Sequence, residues 1–248
     1  MAYDPASLDK PLDVLKAFDW GGDTSAFQPI DAAVIASHGT PSARADLETR
    51  LAALLGAGTS RAAKEYVCRK LSVIGTAASV PALAALLPEK DHSHMARYAL
   101  ERIPANEAAE ALRKALGTVQ GDLKIGMISA LASRGDAAAV PLLAGLLSGD
   151  SRTAVAAADA LGRIHSAEAC QALAAAGTVT DKAAAAAITD ARLACAESLV
   201  RQGKRPEAMA IYKSVADAAA TGTTPAAKSA RLAAARGILA CLDTTTPS

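Results

Sequence analysis

The sequence predicts an all-α fold, a right-handed α-solenoid of stacked antiparallel helix pairs, and three observations carry that prediction. The first is a repeat. Leu71, Leu100, Leu131 and Leu161 are spaced by 29, 31 and 30 residues, and twelve residues after each stands another leucine: Leu83, Leu112, Leu143 and Leu173. The second is a helix-breaking turn after each of the first four leucines. The third is composition. Apolar residues make up 51% of the 248 residues and aromatics only 3%. Thick cores are built from large side chains that each bury much area. An alanine-rich chain instead favours helices that approach closely, and alanine has the highest helix propensity. Tandem helix pairs of about thirty residues are the mark of a solenoid, in which each unit buries its apolar face only against its neighbours.

Taken in order, residues 1–30 are expected to form an N-terminal cap that shields the first apolar face and holds the only tryptophan, Trp20. Residues 31–180 hold the repeats. Ile35 and Leu47 keep the twelve-residue offset around "SHGTPSARAD" and predict an irregular first pair. The regular units turn at Ile74-Gly75, Ile103-Pro104, Arg134-Gly135-Asp136 and Ile164-His165-Ser166. Glycine ends a helix in the left-handed conformation, and proline cannot continue one. Pro81 and Pro141 suit the first turn of the second helices, where no N–H is missed. Asp91 and Asp150 are placed to cap the next first helix.

Residues 181–248 are expected to hold a tetratricopeptide-like hairpin and a terminal helix. Leu199 and Ile211 keep the offset, with Gly203 at the bend and Ala208 and Tyr212 packing back. The gap of 38 from Leu161 to Leu199 predicts a longer first helix there. The last helix, 226–242, reads as the opening of one more pair, with Leu232, Ile238, Leu239 and Cys241 among its apolar positions. Such a stripe folds back as a cap or receives another unit. The expectation is that the native protein continues past Ser248.

The segments "LSVIGTAASVPALAALL", "LASRGDAAAVPLLAGLLSGD" and "AAADALGRI" make the middle units resemble HEAT repeats, of the short, alanine-rich bacterial kind related to phycobilin lyases. The resemblance covers roughly 60–180. It implies an armadillo-like superhelix used as a protein-binding scaffold and, as an alternative, a repeat protein that binds a chromophore or sugar or acts as a lyase-type enzyme. The combination "DWGGD…IDAAV…CRKLSVIGTAASVPALAALL…HMARYALE" also resembles a repeat domain of environmental bacteria, in which the array often accompanies secreted sugar-processing or cytochrome modules. One departure is Ala156 after Val155, where HEAT repeats usually carry an arginine.

Charge excludes some classes of partner. The formal net charge is +1, with 4 Lys/Arg against 8 Asp/Glu in residues 1–60 and 11 against 7 in residues 61–134. No global field draws nucleic acid or an anionic membrane. A HEAT-like DNA glycosylase would need a basic face and aromatics for an extruded base, and 3% aromatics disfavours it. No run of eighteen apolar residues predicts a membrane span. The start lacks the basic and apolar stretches of a signal peptide. The chain is then cytoplasmic or, if a leader has been removed, periplasmic or secreted. Cys68, Cys170, Cys195 and Cys241 lack CxxC spacing and are expected to be free or buried thiols.

Chemistry is sparse. There is no GxSxG, no Walker loop and no glycine-rich phosphate cradle after a strand. His92 and His94 are two apart, a spacing that splits them around a helix, so no metal site is expected, nor any cofactor. His38 and His165 read as turn residues. The row three before each anchor leucine, Cys68, Arg97, Ile128 and Ala158, should face inward. Arg97 breaks it, and Glu65 or Glu101 is the expected partner. Arg69, His94, Tyr98 and Lys124 fall on adjacent surface rows and form the candidate partner-binding patch, since Tyr and Arg are common interface anchors. The expected function is a non-catalytic interaction scaffold for a partner protein or an adjacent domain.

Overall fold

Fourteen α-helices and no strand make up the regular structure among the described residues of the computed structural model, which are 3–243 except 57 and 178. They form two compact units, Met1–Ala130 and Leu131–Ser248.

The first unit contains α1 (Asp9–Lys16), α2 (Gln28–Ala36), α3 (Pro41–Ala53), α4 (Arg61–Ile74), α5 (Val80–Ala85), α6 (Ser93–Arg102), α7 (Asn106–Leu116) and the start of α8 (Gly121–Arg134). Its anchors Leu71 and Leu100 and their partners Leu83 and Leu112 are completely buried. Burying each such side chain is worth about 1.5–3 kcal/mol. Helix α4 starts where the Ser60 hydroxyl accepts from the Ala63 N–H at 3.1 Å. Pro81 falls in the first turn of α5, as its fixed φ allows. The expected Asp91 cap does not form: His92 is the N-cap residue of α6 and makes no side-chain capping bond. The first pair also departs from its expected register. Leu47 is buried, but Ile35 is 76% exposed, and α2 buries Ile30 and Ala33 instead. Ile30, Ala33 and the C-cap Ser37 are buried at spacings of three and four, one stripe of a helix, and Ile35 falls on the other side of it.

Residues before α2 are tied down by apolar and polar contacts together. Leu8, Leu12 and Leu15 are buried, Arg50 pairs with Asp9 at 2.7 Å, and the Ser60 N–H donates to the Lys16 carbonyl at 3.0 Å.

The second unit holds the rest of α8, then α9 (Val140–Gly145), α10 (Ser151–Ile164), α11 (Ala167–Ala175), α12 (Lys182–Arg201), α13 (Arg205–Ala218) and α14 (Pro225–Leu242). Leu131, Leu143, Leu161 and Leu173 are completely buried. Asp150 caps α10, accepting from the Thr153 N–H at 3.1 Å. Gly162 lets α12 approach α10 closely, since a Cβ there would fall 3.1 Å from the Ala191 Cα. The long helix expected before Gly203 is α12, and Gly203 takes φ 76° at the bend. Ala208 and Tyr212 pack back into the core.

The inward row is as the repeat requires, with Cys68, Ile128 and Ala158 buried and Arg97 half-buried. All four cysteines are free and buried. Burial pushes the Cys68 thiol up to about 12, so it behaves as a small apolar group. Arginines recur at helix C-termini, where the last carbonyls lack intrahelical donors. Arg192 donates to the carbonyls of Leu173, Ala174 and Ala176, and Arg231 to those of Ala219, Ala220 and Gly222. One planar guanidinium serves several carbonyls at once, which a lysine cannot do with the same geometry.

Candidate functional site

The chain has two Phe, four Tyr and one Trp, and four of these seven rings line one cleft of about 610 Å³ in the first unit. The local sequence explains the grouping. Gly21, at φ 86°, turns the chain after α1. The Asp23 carboxylate then accepts from the Ser25 N–H at 2.8 Å and starts the turn that enters α2. This route brings Phe18, Trp20 and Phe27 over α4. Ala62, Tyr66 and Arg69 lie on one face of α4, spaced four and three apart.

Phe27 is 1% exposed and forms the floor. It meets Phe18 edge to face, with centroids 4.8 Å apart at 88°, and Tyr66 at 5.4 Å. Tyr66 donates its hydroxyl to Asp31 at 2.6 Å. Lys70 pairs with the same carboxylate at 2.5 Å, and its ammonium stands 4.6 Å from the centre of the Tyr66 ring. Burial, followed by the Asp31 bond, pushes the Tyr66 phenol well above its ordinary range, so it stays a neutral donor. Trp20 stands at the rim with 59% of its surface exposed. Arg69 shares the cleft and is exposed, with Glu65 at 3.9 Å as its only ion-pair partner among the described residues. The cleft therefore offers an aromatic floor, an exposed indole and a guanidinium with most of its donors open.

A second cleft of about 690 Å³ lies around Arg44, Glu48 and Thr76. Its polar groups are engaged in backbone bonds: Arg44 Nε donates to the Ile74 carbonyl at 2.8 Å, and buried Glu48 accepts from the Thr76 and Ser79 N–H groups at 2.6 and 3.1 Å. Those groups brace a turn and are not free for a ligand.

The four patch residues predicted from sequence take different surroundings. Arg69 belongs to the aromatic cleft. Tyr98 is half-buried, with the Arg102 guanidinium 3.7 Å from its ring centre. His94 is exposed on α6, and Lys124 is half-buried on α8. Phe18, Phe27, Asp31 and Tyr66 were not legible as site residues. The available signal was the crowding of four of seven aromatics into residues 18–66. Among the described residues no group of three or more His, Cys, Asp or Glu is placed to hold a metal ion, and no helix is long and apolar enough to cross a membrane. No family model matches the sequence, and no curated protein matches it.

Proposed function

We propose that the protein is a HEAT-like right-handed α-solenoid that binds a partner protein or an adjacent domain without catalysis, and that the aromatic cleft is its anchor point. The observation that carries this reading is Trp20, exposed at the rim beside the largely unengaged Arg69. Trp, Tyr and Arg are the residue types enriched where binding energy concentrates, and a rigid aromatic floor loses little entropy on binding. The repeated pattern of buried leucines supports the solenoid part of the reading, because each unit needs a neighbour to cover its apolar face.

Trp20 is the only tryptophan, so its fluorescence reports on this cleft alone. The experiment is capture from native cell extract, followed by titration of the purified captured protein against Trp20 emission. Recovery is expected to fall about tenfold or more with Trp20→Ala and with Arg69→Ala. Equal recovery by both variants and the wild type would reject the cleft as the anchor.

The cleft volume favours a second reading. About 610 Å³ lies within the range of small-ligand pockets, roughly 300–1,000 Å³. A chromophore or sugar seated on the Phe27 floor is the form this takes. A dialysable fraction that changes Trp20 emission, where the macromolecular fraction does not, would select it.

A further inference from the structure

Seven residues before each anchor stand Lys64 on α4, Ser93 on α6 and Lys124 on α8. Helices α4 and α6 pack directly on each other. Ser93 and Arg97 are one turn apart and share a face of α6. The Arg97 guanidinium reaches across to α8, where it lies against Gly126: a Cβ on that glycine would fall 2.4 Å from Cζ.

Three buried side-chain polar atoms lack a partner among the described residues, and all three are here: His92 Nδ1, Ser93 Oγ and Arg97 Nε. Ser93 is 1% exposed, and Lys64 is also buried. No carboxylate among the described residues lies within ion-pair distance of Lys64 or Arg97. Glu65, one partner expected for Arg97, is engaged by Arg61 at 3.4 Å and Arg69 at 3.9 Å. Glu101, the other, stands 3.7 Å from Arg102. Desolvation pulls the Arg97 pKa down, and Glu101 only partly opposes it.

The N-terminus of α6 is uncapped by any side chain, as are those of α3, α5, α7 and α13, whereas Ser60, Asp150, Asp181 and Thr224 cap α4, α10, α12 and α14. An uncapped N-terminus presents free N–H groups and the positive end of the helix dipole. Buried donors with a net positive charge and no acceptor are costly, and an anion removes that cost.

We propose that the N-terminal end of α6, with Ser93, Arg97, Lys64 and Lys124, is a binding site for a small oxyanion of the phosphate and sulfate class. The anion accepts from the Ser93 hydroxyl, from Arg97 Nε and from the His94 and Met95 N–H groups, since the Ser93 N–H already donates to the Glu89 carbonyl at 2.8 Å. Lys64 and Lys124 supply charge from the flanking helices. Because Ser93 is almost fully enclosed, a bare oxyanion fits better than one carrying a bulky ester. The aromatic cleft contributes nothing to this site, so the two readings stand or fall separately.

The test is calorimetric and thermal titration of the full chain with inorganic phosphate and with sulfate, in a chloride background of constant ionic strength. Saturable binding with one anion per chain and a rise in Tm are expected for both, with no rise from chloride alone. Ser93→Ala, which removes a single oxygen, is expected to weaken binding about tenfold, and Arg97→Met to do so by more than that. Trp20→Ala should bind phosphate as the wild type does. The absence of saturable binding overturns the proposal and leaves ordered water as the partner of these donors. Wild-type affinity in a folded Ser93→Ala protein overturns it equally.

Discussion

Arg44 and Glu48 stand one turn apart on α3 and grip the two sides of the same turn, the one that joins α4 to α5. Arg44 donates to the carbonyls of Val73 and Ile74 at 3.2 and 2.8 Å, satisfying the end of α4. Glu48 accepts from the Thr76 and Ser79 N–H groups and the Thr76 hydroxyl, satisfying the start of the next element. Each charge meets the helix end of opposite polarity.

Glu48 is therefore expected to matter more than an ordinary helix carboxylate. Glu48→Ala strands several donors at a buried position, and a loss of about 2–3 kcal/mol follows for charge-assisted bonds of this kind. Arg44→Ala exposes its carbonyls to water, so its cost should be smaller, about 1 kcal/mol. Chemical denaturation of the two variants measures the order, and a larger loss at Arg44 contradicts it.

Leu131 and Leu161 have no exposed surface and occupy the same register. Either change to Ala should cost about 2–5 kcal/mol, the transfer term plus that of the cavity left behind. An unchanged thermal melt for Leu131→Ala would sink the register on which the repeat rests.

Gly237 lies under the Tyr212 ring, where a Cβ would come within 2.2 Å of Cζ. Two effects compete in Gly237→Ala. Helix propensity favours alanine by about 1 kcal/mol, and overpacking opposes it by about 1–3 kcal/mol. Overpacking should win because Tyr212 is only 3% exposed and cannot swing away freely. Destabilisation relieved by adding Tyr212→Leu is the expected pattern in melts.

His165 takes φ 52° at the position where the preceding repeat has Gly135 at φ 63°. A left-handed non-glycine residue costs about 1–2 kcal/mol, while glycine adds unfolded-state entropy worth about 0.4–1 kcal/mol. His165→Gly should thus raise stability by about 0.5–1 kcal/mol, and a lower Tm would contradict the strain.

Leu232, Leu239 and Leu242 are exposed along α14, at 53, 66 and 64%. If this stripe receives another helical unit, light scattering should show the wild type associating as concentration rises. Leu239→Glu should then stay at lower mass with unchanged stability. Clean monomers of both forms would end the docking idea for this face.

The helices, the turns between them and the inward leucines are written in local sequence pattern. Those features are set within about thirty residues, by apolar spacing, proline, glycine and alanine propensity. Leu71 and Leu83 are legible because each obeys a period that neighbouring residues share. Ile35 shows where that signal fails: its offset to Leu47 is correct, yet α2 packs through the stripe of Ile30, Ala33 and Ser37 and leaves Ile35 exposed. Asp91 fails likewise, because the chain starts α6 one residue beyond His92. The rest depends on contacts between residues far apart in the chain. Tyr66 is 35 residues from Asp31, and Thr76 is 28 from Glu48. Such pairs carry no periodic signal, because they depend on how one helix crosses another and on which side chains then share a dielectric too low to leave them unpaired. The aromatic cleft has the same origin: Trp20 and Tyr66 come together only because Gly21 and the turn into α2 fold the chain back over α4.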